Sequence, residues 1–208
     1  IWTAGAEHVP TQHVSLLTLV IVNAITSYVA ASIWIYEKAR AGKLALLVVT
    51  ILMLTSAYLT TDFPENHTTP QIISVLLEIV SSGALVGAVM MSMLLGHWYL
   101  NTPGMKHDPL HKLLAFCLLA LAIRTVISAT GTYFYVAANE VATSWWIFVS
   151  LRWVTGIAAT LIMVILAQLT LRVPNTQSAT GILYAATVVV LVGELTAQLL
   201  SENVLYPL

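Results

Sequence analysis

The sequence predicts an all-α integral membrane protein, a bundle of six transmembrane helices, and three observations lead there. Hydrophobic residues make up 59% of the chain and charged residues 8%, where a soluble domain carries about 25% charged residues. The mean hydropathy is +0.89. The apolar residues also fall into six runs, each near the roughly 20 helical residues needed to cross about 30 Å of hydrocarbon. No stretch has a different composition, so residues 1–208 read as one transmembrane domain.

The first run, 14–36, ends in Trp34 and Tyr36 just before Glu37 and Lys38. The second, 44–61, is short, so it either tilts little or sits in thinned bilayer. The third, 71–99, carries one acid, Glu78, and runs into Gly96-His97-Trp98-Tyr99 and a histidine-bearing turn ending at Asp108. The remaining runs are 111–137, 144–171 and 179–201. Between them stand the breakers expected of loops: Pro64 and Pro70, Pro103 with Gly104, Pro109, and Pro174 with Asn175.

Basic residues decide the orientation, because Lys and Arg in short loops favour the cytoplasmic side. Lys38, Arg40, Lys43, Lys106, Lys112 and Arg172 all fall on one side of the six runs. The other side holds Glu7, Asp62, Glu65, Glu140 and Glu202. Both termini are therefore expected outside the cytoplasm. Aromatic residues mark the same boundaries, with Trp34, Tyr36, Trp98 and Tyr99 at inner ends and Tyr133, Tyr135, Trp145 and Trp146 at outer ones.

Several function classes are disfavoured. A net charge of -1 offers no basic surface for nucleic acid, and the single cysteine, Cys117, has no partner for an internal disulfide. Ser-His-Asp sets, phosphate-binding loops, paired-cysteine zinc sites and HExxH motifs are missing, which argues against a free-standing enzyme. Lysines avoid the helix interiors, so a retinal Schiff base has no candidate. The first residue is Ile1 rather than Met, which leaves processing or an earlier start open, and no signal peptide is visible.

Four ionisable residues interrupt the apolar runs: Glu78, Arg124, Arg152 and Glu194. Each charge there costs at least about 2.5 kcal/mol even on the lenient insertion scale. Counting from the loops puts Glu78, Arg152 and Glu194 about two turns inside the outer surface and Arg124 nearer the middle. Two acids and two bases at such depths either form an ion-pair network that fixes helix order or line a polar pocket. Such a pocket suits a quinone head group, a proton path or the acidic groups of a pigment.

The histidines form an outer group, His8, His13 and His67, and an inner group, His97, His107 and His111. Imidazole ligates haem iron, copper and chlorophyll magnesium, so His97, His111, His13 and His67 are candidate ligands. Their positions at helix ends and in loops fit ordinary interfacial histidines equally. His97, at the end of a helix, is the best single candidate. Gly83-x-x-x-Gly87 is expected to let another helix approach closely. Asn66-His67-Thr68 matches a glycosylation acceptor, a pattern that chance supplies easily.

The run Val188-Val189-Val190-Leu191-Val192-Gly193-Glu194-Leu195, continuing to Tyr206-Pro207-Leu208, resembles the final helix of quinone-interacting membrane anchor subunits of the polysulfide and DMSO reductase type. The resemblance covers about 25 residues, and six helices stand where those anchors have eight or more. It implies quinone, redox partner subunits and a place for Glu194 in a quinol pocket. The resulting expectation is an integral subunit of a bacterial respiratory or photosynthetic electron-transfer complex in the cytoplasmic membrane. Such a subunit anchors other subunits in the lipid bilayer and contributes to a quinone, haem or chlorophyll site. Two alternatives stay open: a small secondary transporter using the buried charges, and a purely structural membrane subunit.

Overall fold

The computed structural model describes residues 11–60, 69–102, 104, 106–173 and 175–201, with side chains from residue 16 onward except at 70 and 71. Glu7, His8, the His13 side chain, Asp62, Glu65, the Asn66-His67-Thr68 motif, Glu202 and the Tyr206-Pro207-Leu208 tail lie outside the described residues. Among the described residues, six helices are long and apolar enough to cross a membrane. They are α1 (Thr11–Ile35), α2 (Ala39–Leu59), α3 (Thr69–Asn101), α4 (Asp108–Ala138), α5 (Thr143–Thr170) and α6 (Thr176–Ser201). The described residues contain no strand. The chain is an all-α integral membrane protein. Large apolar side chains such as Leu17, Val126, Val188 and Leu199 are each more than half exposed, a surface that matches lipid rather than water.

Helix ends follow local chemistry. α2 begins five residues before the expected 44, because hydropathy marks the stretch that prefers lipid, whereas the hydrogen-bond ladder also takes in Arg40 and Lys43. α4 begins where Asp108 supplies a first-turn acid and Pro109 needs no N–H partner. Asn175 caps α6 by accepting from the Ser178 N–H at 3.0 Å.

Packing divides the chain into two compact units, one ending at Glu65 and one beginning at Asn66. The first is the α1–α2 hairpin. Its turn places Glu37 at φ 55°, and Asn23 Nδ2 donates to Ser56 Oγ across the pair at 2.6 Å. Gly42 is buried beneath the Trp34 ring, so that a Cβ there would come within 2.8 Å of it.

The second unit is made by α3 to α6, with α6 packed between α3 and α5, and α4 against α3. α6 buries a stripe of small residues, Ala179, Thr180, Ala186, Thr187, Gly193 and Ala197, which lets neighbouring backbones approach. α3 answers with Leu85, Ala88, Val89, Ser92, Gly96 and Tyr99, which follow one another along one face at helical spacing. Cys117 is buried beside Ser92, at 3.4 Å between Sγ and Oγ. The Tyr99 hydroxyl donates to the Lys106 carbonyl at 3.1 Å and pins the α3–α4 turn.

The expected close-packing pair is corrected. Gly83 and Gly87 are exposed, and a Cβ added to either meets nothing within 4 Å. The close approach lies instead between Gly156 of α5 and Gly193 of α6, where a Cβ on Gly193 would overlap the Gly156 backbone. Both sequences offered small residues, but only their rotation about the helix axis decides which pair meets.

Two outcomes test this architecture. Gly193→Leu should strongly destabilise the protein in detergent, whereas Gly83→Leu should melt within about 2–4 °C of the parent; similar losses from both would contradict the Gly156–Gly193 contact. For orientation, an impermeant thiol reagent on intact cells should label Glu140→Cys and spare Lys38→Cys, and the opposite preference would invert the topology.

Candidate functional site

Each helix of the second unit contributes one ionisable residue to a single buried cluster: Glu78 from α3, Arg124 from α4, Arg152 from α5 and Glu194 from α6. Glu78, Arg152 and Glu194 lie roughly two to three turns in from the Thr69, Thr143 and Ser201 ends of their helices, and Arg124 about four turns in from the Ala138 end. The antiparallel order therefore carries all four to one level. The sequence supplied these residues and their depths; the fold brings them into contact.

Glu194 is the hub. Arg124 Nη2 donates to Glu194 Oε2 at 2.9 Å, and Arg124 Nε lies 3.2 Å from Oε2 and 3.3 Å from Oε1. Such fork-like pairing to a carboxylate suits the planar guanidinium. Arg152 Nη2 approaches Glu194 Oε1 from the other side at 3.1 Å. Glu78 is the outlying member: its Oε1 is 3.6 Å from Arg124 Nη2 and accepts from Ser201 Oγ at 3.1 Å. The side chains of Arg124 and Arg152 are 0% and 1% exposed, against 17% for Glu78, so the cations are the more deeply withdrawn.

Arg152 takes an unusual path. Long basic side chains in a membrane ordinarily snorkel toward the nearer surface. Here Arg152 Nη1 occupies the space in which a Cβ on Gly156 would stand, so the guanidinium bends one turn toward the bilayer centre. Gly156 makes room for that turn and for the Gly193 backbone at once. The segment Arg152–Ala159 is a π-helix, and Thr160 Oγ1 donates to the Thr155 carbonyl, five residues back, at 3.3 Å. Widened turns of this kind recur at functional sites within helices.

The cluster is balanced in charge but not in hydrogen bonds. Two carboxylates and two guanidiniums sum to zero. Among the described residues, however, Arg152 Nε, Nη1 and Nη2, Arg124 Nη1, Ser128 Oγ and Trp145 Nε1 are buried with no hydrogen-bond partner. The Arg152–Glu194 approach is therefore an ion pair without an aligned hydrogen bond. Thr125 and Thr130 of α4 donate to carbonyls four residues back, whereas Ser128 does not. Buried polar groups are ordinarily satisfied. What this site lacks is acceptors.

Sequence reading did not single out Ser128, Trp145 as a donor, Ser201, Gly156 or Gly193. A faint signal existed, since Ser128 follows Arg124 by four residues, Gly156 follows Arg152 by four, and Gly193 adjoins Glu194.

The described histidine side chains, those of His97, His107 and His111, stand apart from this cluster. His97 is exposed in the last turn of α3, with Nδ1 3.2 Å from the Tyr184 hydroxyl of α6. His107 precedes α4 and packs edge-on against Tyr99, and His111 is half-buried in the first turn of α4. Among the described residues no three of His, Cys, Asp and Glu converge on a metal-sized site.

No protein-family model, curated protein or solved structure matches this chain. The class is defined by the fold alone: an integral membrane protein of six membrane-length helices.

Removing one charge should hurt unequally. Arg124→Ala deprives Glu194 of its aligned hydrogen bonds and Glu78 of its cation, and should cost about 3 kcal/mol or more. Arg152→Ala leaves the Arg124–Glu194 pair in place and should cost clearly less. Adding Glu194→Gln to Arg124→Ala should recover part of the loss. Unfolding in mixed micelles measures all three, and equal, additive losses would show that Arg124 and Glu194 do not organise the cluster.

Proposed function

We propose that this chain is an integral subunit of an electron-transfer complex of the bacterial cytoplasmic membrane, and that its second unit holds the carbonyl head group of a quinone at the Arg124–Arg152 cluster. The observation that carries this reading is the set of buried, unpartnered donors around a cluster whose formal charges already cancel. A molecule completing it must bring acceptors without adding charge. An anion would leave the buried cluster net negative, and a cation would leave it net positive. Quinone carbonyls bring acceptors and no charge, on a ring that apolar helices accommodate. The resemblance of the last helix to that of quinone-interacting anchor subunits points the same way. In such a complex the lipid-facing surface anchors the redox subunits, and the bound head group exchanges electrons with them.

Purification from native membranes in mild detergent tests the reading. Quinone and redox-active partner subunits should accompany the protein. A short-chain quinone should bind the wild type and bind Arg152→Gln about tenfold more weakly, the loss expected when hydrogen bonds from a charged donor are removed. A protein that comes without quinone or redox partners, or an Arg152→Gln variant of unchanged affinity, overturns it.

A further inference from the structure

The unpartnered donors are not scattered through the bundle. Arg124 and Ser128 belong to α4, and Trp145 and Arg152 belong to the outer half of α5. The outer parts of these two helices are also where their packing is open. α4 packs against the Thr160–Thr170 part of α5. Farther out, the Tyr135 ring stacks on Trp145 with centroids 5.0 Å apart and planes 25° apart. Between these contacts lies an open groove of about 410 Å³, lined by Ala129, Thr132, Tyr133, Val136, Trp146 and Trp153 among others. That volume falls within the range of small-molecule sites.

Helical spacing connects the groove to the cluster. Arg124, Ser128 and Thr132 stand four residues apart on one face of α4, and Thr132 lines the groove. On α5, Trp145 and Arg152 share a face seven residues apart, and the residues following each, Trp146 and Trp153, line the groove. The groove therefore runs beside the unpartnered donors on both helices, with apolar and aromatic walls, and the donors themselves do not line it.

We infer that the ligand of this site is an amphiphile, with its acceptor head at Arg124, Ser128 and Arg152 and the first part of an apolar tail in the α4–α5 groove, so that it enters sideways from the bilayer. This rests on the head-group reading above and adds the tail and the route. A head group alone accounts for the donors but not for the groove beside them, and a phospholipid chain alone accounts for the groove but not for the donors. A prenylated quinone accounts for both.

Two measurements test the groove separately from the head site. In the first, a tail-less benzoquinone and a decyl or prenyl benzoquinone are titrated against the wild type, Val136→Trp and Ile162→Trp. Val136 lines the groove, whereas Ile162 is exposed on the inner half of α5 and controls for bulk. With both concentrations referred to the detergent phase, so that partitioning into it cancels, the tailed compound should bind the wild type at least about threefold more tightly than the tail-less one, because the groove walls pack on the tail more closely than fluid detergent does. Val136→Trp should abolish that advantage without changing tail-less binding, and Ile162→Trp should preserve it. A wild type with no tail advantage, or an advantage that survives Val136→Trp, overturns the tail assignment while the head reading stands. If Arg152→Gln weakens neither compound, the head reading falls.

The second measurement needs no folded variant. A benzoquinone with a photoreactive group on its tail should cross-link the wild type within 132–137 of α4 or 146–153 of α5, and unlabelled tailed quinone should compete. Adducts spread over all lipid-facing helices overturn the assignment. So does equal competition by phospholipid, which would mean an adventitious lipid only.

Discussion

The structure of the second unit depends on the pairing of Arg124 with Glu194 inside hydrocarbon. Apolar side chains gain little by moving from lipid to a neighbouring helix, so hydrophobicity inserts these helices without specifying their neighbours. A buried charge does specify one. Glu194 on α6 satisfies Arg124 on α4 and attracts Arg152 on α5, while Arg124 also reaches Glu78 on α3. With one charge per helix, a different helix order would strand at least one of them. The cost of such stranding is about 3–5 kcal/mol.

Where α5 meets α6 the pairing is accompanied by close backbones, and small residues provide them. Gly193 stands one position before Glu194 and lies against Gly156, whose missing side chain also frees the path of Arg152. The inward-bent arginine, the widened turn at 152–159 and the α5–α6 contact are thus three views of one arrangement. Each would be difficult to keep without the others, since a regular snorkelling Arg152 would leave Glu194 to Arg124 alone.

A purely structural ion network tends to close on itself, because an unsatisfied polar group in a low-dielectric interior is costly. This network closes in charge but leaves donors open, and they lie on α4 and α5, whose halves nearest their connecting turn leave a groove. That coincidence is what the proposed head-group site rests on. The α1–α2 hairpin shows the contrast, since there Asn23 Nδ2 donates to Ser56 Oγ across the pair.

The class of the protein was legible in the residues because it depends on properties that are local along the chain. Apolar runs of membrane length, and the rarity of charge within them, needed no neighbour to be read, and the six helices follow. Depth was legible for the same reason: rise per residue is constant, so counting from the loops put Glu78, Arg152 and Glu194 at one level. Rotation about each helix axis and the identity of the neighbour were not. An apolar helix in lipid is hydrophobic all round, so periodicity does not reveal which side faces a partner. Gly83-x-x-x-Gly87 consequently read as a packing face and turned out exposed, while Gly156 and Gly193 meet. The unpartnered donors were equally hidden, because a hydrogen bond left unmade is a fact about where the surrounding atoms stand. Only the tertiary structure decides that.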